Sequence, residues 1–217
     1  MNLYISPVGE YGILNFNKII NTFPKELFDF FVFSYDNSIK ENNLFKKINV
    51  NPNEYKWQHI KRNYRQFVNK YDYIFYWDDD FDIKNFNVIN YLDIIKRNKL
   101  DISQPSIEGY YTWGITLKKD CKVGRETNFV EIGCPVFSND AFIKVIENIV
   151  DLSNGYGYYY DYLFKDYVEK LGIIDCETIN HTRQITSNEK AIVELKEYLK
   201  IKNPIINMTQ KTLWKLI

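Results

Sequence analysis

The sequence is short of cysteine and of net charge, and both shortages narrow what the protein does. Its three cysteines, Cys121, Cys134 and Cys176, are widely spaced, odd in number and form no CxxC pair. That spacing argues against a zinc site and a disulfide framework, and it makes a reducing compartment the default. The 28 basic and 28 acidic residues cancel, so the field of a general nucleic-acid or anionic-membrane binder is missing, with room left for local patches. No segment has eighteen uninterrupted apolar residues, and the N-terminal MNLYISPVGEYG lacks a basic n-region and a long apolar h-region. Neither a transmembrane helix nor a secretory signal is expected. These absences predict a soluble, cytoplasmic chain, and a domain cut from a longer protein would look the same. A phosphate loop is also missing, because GYG at Gly155 to Gly157 lacks the GxxxxGK pattern. The NHT triplet at Asn180 matters as a glycosylation site only in a secreted protein.

What is present is a folded core. Hydrophobic residues make up 45% of the 217 positions and aromatics 17%, with 18 Tyr and 15 Phe, which places the chain among globular proteins. This length buries a substantial core as one α/β domain. The aromatic excess suits a surface that handles carbohydrate, because rings stack on the apolar faces of sugars; a compositional bias of the genome would produce the same excess.

Apolar runs alternate with helical patterns. Strands are expected at Leu3 to Ser6, Phe28 to Asp36 and DISQPSI, with shorter β segments at Tyr110 to Leu117 and Asn128 to Phe137. Helices are expected at Leu14 to Asn21, Glu54 to Tyr71, Asn85 to Asn98, Asn139 to Val150, Tyr158 to Leu171 and Asn188 to Lys200, with Asn37 to Asn53 as a loop and NGYG as a turn. IIDCETI reads as a late strand that ends at Asn180 and His181. The alternation predicts a mostly parallel, doubly wound, Rossmann-like sheet flanked by helices, with ligands at the carboxyl ends of the strands.

The most informative segment is YDYIFYWDDDFDI, Tyr71 to Ile83. An aromatic strand ends in three consecutive carboxylates, Asp78, Asp79 and Asp80, with Asp82 just beyond. Carboxylates this close raise one another's pKa unless a cation or dense hydrogen bonding compensates. Hard oxygen ligands at a strand end suit Mg²⁺ or Mn²⁺, above all when a substrate phosphate completes the shell. The plain alternative is a solvated acidic turn that caps the next helix.

The triplet resembles the DxD motif of nucleotide-sugar glycosyltransferases with the GT-A fold. The wider pattern is similar to a family of plant and microbial proteins once catalogued as a domain of unknown function, and to glycosyltransferase domains of large viruses. The matching blocks are KWQHIKR, YDYIFYWDDDF, DISQPSI, GIT at Gly114 to Thr116, FVEIGCPVFS, GYG and GIIDCETINH, in order from Lys56 to Gln184. One departure stands out: where the family has an aspartate two residues after the second glycine of its turn, this chain has Tyr159, and Asp161 follows two residues later.

The resemblance implies a single glycosyltransferase domain over residues 1–217, with a nucleotide-binding half at 1–100 and an acceptor half and terminal helix at 101–217. It implies transfer of a hexosyl or deoxyhexosyl group from a nucleoside-diphosphate sugar, such as a UDP-sugar, to a glycan or other hydroxyl acceptor, with Mn²⁺ or Mg²⁺ as cofactor. Asp80 and His181 are the implied metal ligands, Asp78 a second metal or ribose contact, and Asp79 a donor-sugar contact. Lys56 and Arg62, and less so Arg65, are placed to hold the diphosphate or base, or else form a solvated helix face. Asp36 accepts from uracil or ribose, or is a turn residue. Glu131, in a segment of β character, and Asp161, at a helix start, are the acceptor-side candidates for base or clamp. A non-catalytic carbohydrate-binding module and a haloacid-dehalogenase-type phosphatase are the rival readings.

Overall fold

Alternation within the strands builds a sheet that is buried on both faces. The computed structural model describes residues 1–36, 39–120, 123–153, 155–184, 189–202 and 208–214. Its elements run β1 (Asn2–Val8), α1 (Ile13–Thr22), β2 (Phe28–Ser34), β3 (Lys46–Asn49), α2 (Lys56–Asn63), β4 (Tyr73–Tyr76), β5 (Phe81–Asp82), α3 (Val88–Arg97), β6 (Ile102–Gly109), β7 (Gly124–Thr127), β8 (Val136–Ser138), α4 (Asn139–Asn148), α5 (Tyr160–Tyr167), β9 (Leu171–His181), α6 (Glu189–Lys202) and β10 (Gln210–Trp214). Leu3 and Ile5 of β1, Phe31 and Phe33 of β2, and Ile74 and Tyr76 of β4 enter one core, where Trp57 and Ile60 of α2, Phe142 and Val145 of α4 and Phe164 of α5 cover them. Tyr4, Phe30, Val32, Phe75 and Trp77 enter the opposite core, against Phe16 and Ile19 of α1 and Tyr91 and Ile95 of α3. A period of two in the strands meets a period of 3.6 in the helices, and that match produces the layers.

The strand order is β10-β7-β9-β6-β8-β4-β1-β2-β3, with β5 paired to β9 off this path. From the pairings, β1, β2, β3, β4, β6, β9 and β10 run in one direction, while β5, β7 and β8 run in the other. The expected α/β sheet is therefore present, mostly but not wholly parallel, and it continues across both halves of the chain. The acidic triplet follows β4 and His181 closes β9, so both lie at carboxyl ends, as expected.

Several local expectations are corrected. The 37–53 stretch is not all loop: Lys46–Asn49 pairs in parallel with β2 as an edge strand, where backbone pairing outweighs a polar composition. Tyr110 to Leu117 forms turns, with only an isolated bridge between Ile107 and Leu117. The Asn128 to Phe137 segment is loop until Val136, because the amide of Glu131 donates to Gln104 Oε1 (2.6 Å) and not to a strand. Four helices are shorter than their patterns: α2 stops at Asn63 and tightens into a 3₁₀ turn over Tyr64–Gln66, α3 starts at Val88, α4 ends at Asn148, and α5 spans Tyr160–Tyr167. Strands β5, β7 and β10 lie outside the expected segments: β5 and β7 pair with β9, and β10 adds an edge to β7. Cys121, Asn154 of the NGYG turn and the expected helix start at Asn188 lie outside the described residues, as do Asn37 and Ser38.

Candidate active site

The triplet is locked from both sides, and each of its three carboxylates has a different partner. On the β8 side, the Asp78 amide donates to the Gly133 carbonyl (2.8 Å). Its carboxylate meets Lys56 Nζ at 3.1 Å, with the Asp78 side chain 38% exposed and that of Lys56 11% exposed. The same ammonium donates to the carbonyls of Ile132 (2.8 Å) and Gly133 (3.1 Å) and lies 4.7 Å from the centre of the Tyr76 ring. Burial pushes the Asp78 carboxyl up to about 6; Lys56 opposes the shift, while Asp80 and Asp79 add to it. Lys56 thus acts on Asp78 and on the 132–133 loop as a fixed counter-charge.

On the β1 side, Asp79 is buried and accepts from the Gly9 amide (3.0 Å) and from Arg183 (2.7 Å). Burial raises its pKa, while the Gly9 amide and the Arg183 guanidinium hold it down. A Cβ on Gly12 would sit 1.9 Å from Asp79 Oδ2, so only glycine lets this loop close on the carboxylate. Asn15 Nδ2 donates to the Asp79 carbonyl (3.2 Å).

Asp80 points the third way, towards the end of β9. Phe81 and Asp82 pair with His181 and Asn180 in antiparallel register, and the Thr182 amide donates to the Asp80 carbonyl (2.9 Å). That register brings His181 Nε2 to 3.2 Å from Asp80 Oδ2, with the imidazole against the Phe81 ring at 5.0 Å. His181 Nδ1 lies 2.9 Å from the Tyr110 carbonyl. A carbonyl only accepts, so Nδ1 carries the hydrogen and Nε2 is the nitrogen left to face Asp80. Burial alone would raise the Asp80 pKa, but the hydrogen bond and charge of His181, helped by Arg183 and Lys56, hold it below the ordinary value. Burial would lower the His181 pKa, but Asp80 raises it further than that. Asp80 Oδ1 is buried with no hydrogen-bond partner among the described residues.

Among the described residues, no group of three or more His, Cys, Asp or Glu side chains is arranged to hold a metal. The structure brings together two of the three expected ligands, Asp80 and His181, and gives Asp78 to Lys56. The pair fits a small divalent cation. Two ligands at right angles, each roughly 2.1 Å from an octahedral ion, stand roughly 3 Å apart. A ligating imidazole typically donates its other N–H to a carbonyl, as His181 does to Tyr110.

Glu131 is 9% exposed, and its Oε2 is buried with no hydrogen-bond partner among the described residues. Burial lifts its pKa to about 7; His181 pulls it down, Asp78 and Asp80 push it up, and Thr112 hydrogen-bonds it. Asp161 is 1% exposed on the first turn of α5 and accepts from the Tyr162 amide (3.1 Å). Burial and then Glu131 raise its pKa well above the usual carboxylate range. Asp36 Oδ2 accepts from the Glu10 amide (3.2 Å), which ties the end of β2 to the loop after β1. Arg62 is engaged by Glu54 (Nε to Oε1 2.8 Å), and the exposed Arg65 is held by Tyr64, so the structure does not bring either into the triplet cluster. Arg183 was missed: it stands two residues beyond the strand end, and a cation placed that close to His181 was the available signal.

Comparison with known proteins places this architecture. The family model described as "Protein of unknown function (DUF707)" matches residues 1–128. That match takes in the N-terminal third, which the motif blocks reach only in outline, and stops before FVEIGCPVFS. No curated protein sequence matches the chain. Among solved structures, TarS residues 1–349 of S. aureus in complex with UDP-GlcNAc aligns with a TM-score of 0.62 at 12% identity, covering 86% of this chain and 59% of that one. The same protein with UDP gives 0.62 and 12%, over 92% of this chain and 64% of that one. GalNAc-T7 with UDP, GalNAc and Mn²⁺ gives 0.64 at 13% identity, over 91% of this chain and 47% of that one. The chain thus spans less than two thirds of each of these structures, and identities this low establish the GT-A-like fold alone. No helix among the described residues is long and apolar enough to cross a membrane. With residues 1–128 of 217 matched, more than half of its length, the chain belongs to the family described as "Protein of unknown function (DUF707)".

Proposed function

We propose that the protein is a glycosyltransferase that moves a sugar from a UDP-sugar to a hydroxyl acceptor, with Mn²⁺ or Mg²⁺ held by Asp80 and His181. The observation that carries this reading is the pair itself: Nε2 of His181 and Oδ2 of Asp80 lie 3.2 Å apart at adjoining strand ends. Two of the structural neighbours were solved with UDP-GlcNAc and with UDP, GalNAc and Mn²⁺, which supports the nucleotide-sugar part. A bound cation would neutralise the charge that builds on a departing diphosphate.

The chain's own residues divide the work. Gly9, Asp36, Asp79 and Arg183, at the ends of β1, β2, β4 and β9, form the donor side, where Arg183 offers a guanidinium to phosphate. Lys56 keeps Asp78 ionised and the 132–133 loop in place. Glu131, with a pKa of about 7 and an Oε2 that has no hydrogen-bond partner among the described residues, is the group suited to take a proton from the acceptor hydroxyl. Asp161 is buried and feels the charge of Glu131, and it is the second acceptor-side candidate. A UDP-sugar panel read out as UDP release tests this: turnover is expected with Mn²⁺ and is lost in EDTA. Saccharide binding that persists in chelator, without nucleotide binding, would instead make the protein a carbohydrate-binding module.

A further inference from the structure

The triplet has an aromatic flank that the donor chemistry does not use. Tyr55 precedes Lys56, and its ring packs on that of Tyr156 with centroids 4.1 Å apart and planes at 33°. The two hydroxyls are joined by a 2.7 Å hydrogen bond. Tyr158 stands edge-on to Tyr156 at 6.1 Å, and its hydroxyl feels the charges of Asp78 and Glu131. Tyr55 nonetheless remains 39% exposed. The contact depends on Gly155, where a Cβ would lie 2.2 Å from the Tyr55 ring. The Tyr156 amide donates to Glu194 Oε2 of α6 (3.3 Å), which holds the loop from behind.

We propose that Tyr55, Tyr156 and Tyr158 form an acceptor subsite that takes a hexopyranose ring; this rests on the glycosyltransferase reading above. Three features point to a sugar. The aromatic group is joined to the triplet on the Asp78 side, through Lys56, whereas the donor groups Gly9 and Arg183 bind Asp79 on the other side. Its position therefore suits the second substrate, and Tyr158 lies close enough to Glu131 to feel its charge. An exposed ring also offers a π face to the C–H face of a pyranose, and tyrosine hydroxyls at its edge meet the sugar's own hydroxyls. Finally, the loop is fixed by a glycine and by α6, so the rings are preorganised and little ordering is left to binding.

The test is saturation-transfer NMR on the whole protein with saturating UDP and Mn²⁺, using a panel of methyl hexopyranosides as probes. At least one glycoside is expected to receive saturation on its ring C–H protons. Tyr55→Ala and Tyr156→Ala are expected to weaken that binding about tenfold, while Tyr55→Phe, which keeps the π face and loses one hydroxyl, loses less than Tyr55→Ala and UDP affinity does not move in any variant. Tyr55→Leu, which keeps apolar bulk without a π face, decides the matter if the alanine variants fold poorly, and it is expected to lose the glycoside. Unchanged glycoside binding in Tyr55→Leu and Tyr156→Ala overturns the subsite, as does a UDP-loaded protein that contacts no glycoside of the panel. A protein that binds no UDP overturns the glycosyltransferase reading itself, and the subsite with it.

Discussion

His181 Nε2 lies 3.2 Å from Asp80 Oδ2, and the two residues come from opposite halves of the chain. Their meeting is set by backbone register: Phe81 pairs with His181 and Asp82 with Asn180, while Thr182 returns two hydrogen bonds to the Asp80 carbonyl (2.9 and 2.7 Å). A one-residue slip in this pairing would send the imidazole to the other face of the sheet. The pair is thus held by main-chain bonds before any ligand arrives.

Asp80→Asn keeps the shape of the side chain and removes its charge. We expect the fold to survive and sugar transfer at saturating Mn²⁺ to fall by about 100-fold or more. Steady-state turnover with a UDP-sugar checks it, and normal turnover would remove Asp80 from the ligand set.

His181→Ala is expected to weaken UDP binding in Mn²⁺ by about 10- to 100-fold and to change the melting temperature far less. Calorimetry and thermal unfolding on the same sample separate the two effects. An unchanged affinity would leave His181 a structural residue.

Lys56→Met leaves Asp78 without its counter-charge and takes the ammonium donor from the Ile132 carbonyl and from the Gly133 carbonyl, which keeps the Asp78 amide. We expect a loss of about 1–3 kcal/mol in denaturant unfolding, kept modest because Asp78 is partly solvated. Adding Asp78→Asn should restore part of that loss; a double variant as unstable as the single one would show that the ion pair is not what Lys56 supplies.

Asp161 gives a pH signature. Its raised pKa means the folded chain keeps a proton that the unfolded chain releases near the ordinary carboxylate range. The stability tied to that proton is full at low pH and drains away as pH rises towards the folded-state value. Asp161→Asn carries no such proton, so its stability relative to the parent should increase from pH 4 to pH 8. Urea titrations across that range check the sign, and a difference that stays flat or falls would contradict it.

Glu131→Gln is expected to keep UDP and Mn²⁺ affinity and lose transfer to the acceptor, because binding and chemistry are separable in this way. Transfer at the parent rate would leave Glu131 a structural residue.

Much of this was legible in the sequence, for identifiable reasons. The aromatic run of β4 and the triplet after it announce a buried strand that ends in charge, and the alternation in β1 and β2 gives the layers. His181 enters as a candidate only through family resemblance, since a lone histidine after a strand carries no pattern of its own. The partner of Lys56 was not legible, because the contact with Asp78 depends on how α2 crosses the sheet. Val130 and Ile132 have β character and read as a strand around Glu131, whereas the Gln104 side chain, Lys56 and the amides of Tyr76 and Asp78 hold that segment as a loop. Edge strands β3 and β10 carry polar residues, the interior β7 (GRET) has no apolar alternation to mark it, and the value of Arg183 lies in a bond to Asp79 that only the fold creates.

The central claim is that Asp80 and His181 bind a divalent cation shared with the donor diphosphate. Its most direct test is calorimetric titration of UDP into the protein in Mn²⁺ and again in EDTA. The account predicts tight binding in Mn²⁺ that is lost in EDTA and in Asp80→Asn; equal affinity with and without the metal would contradict it.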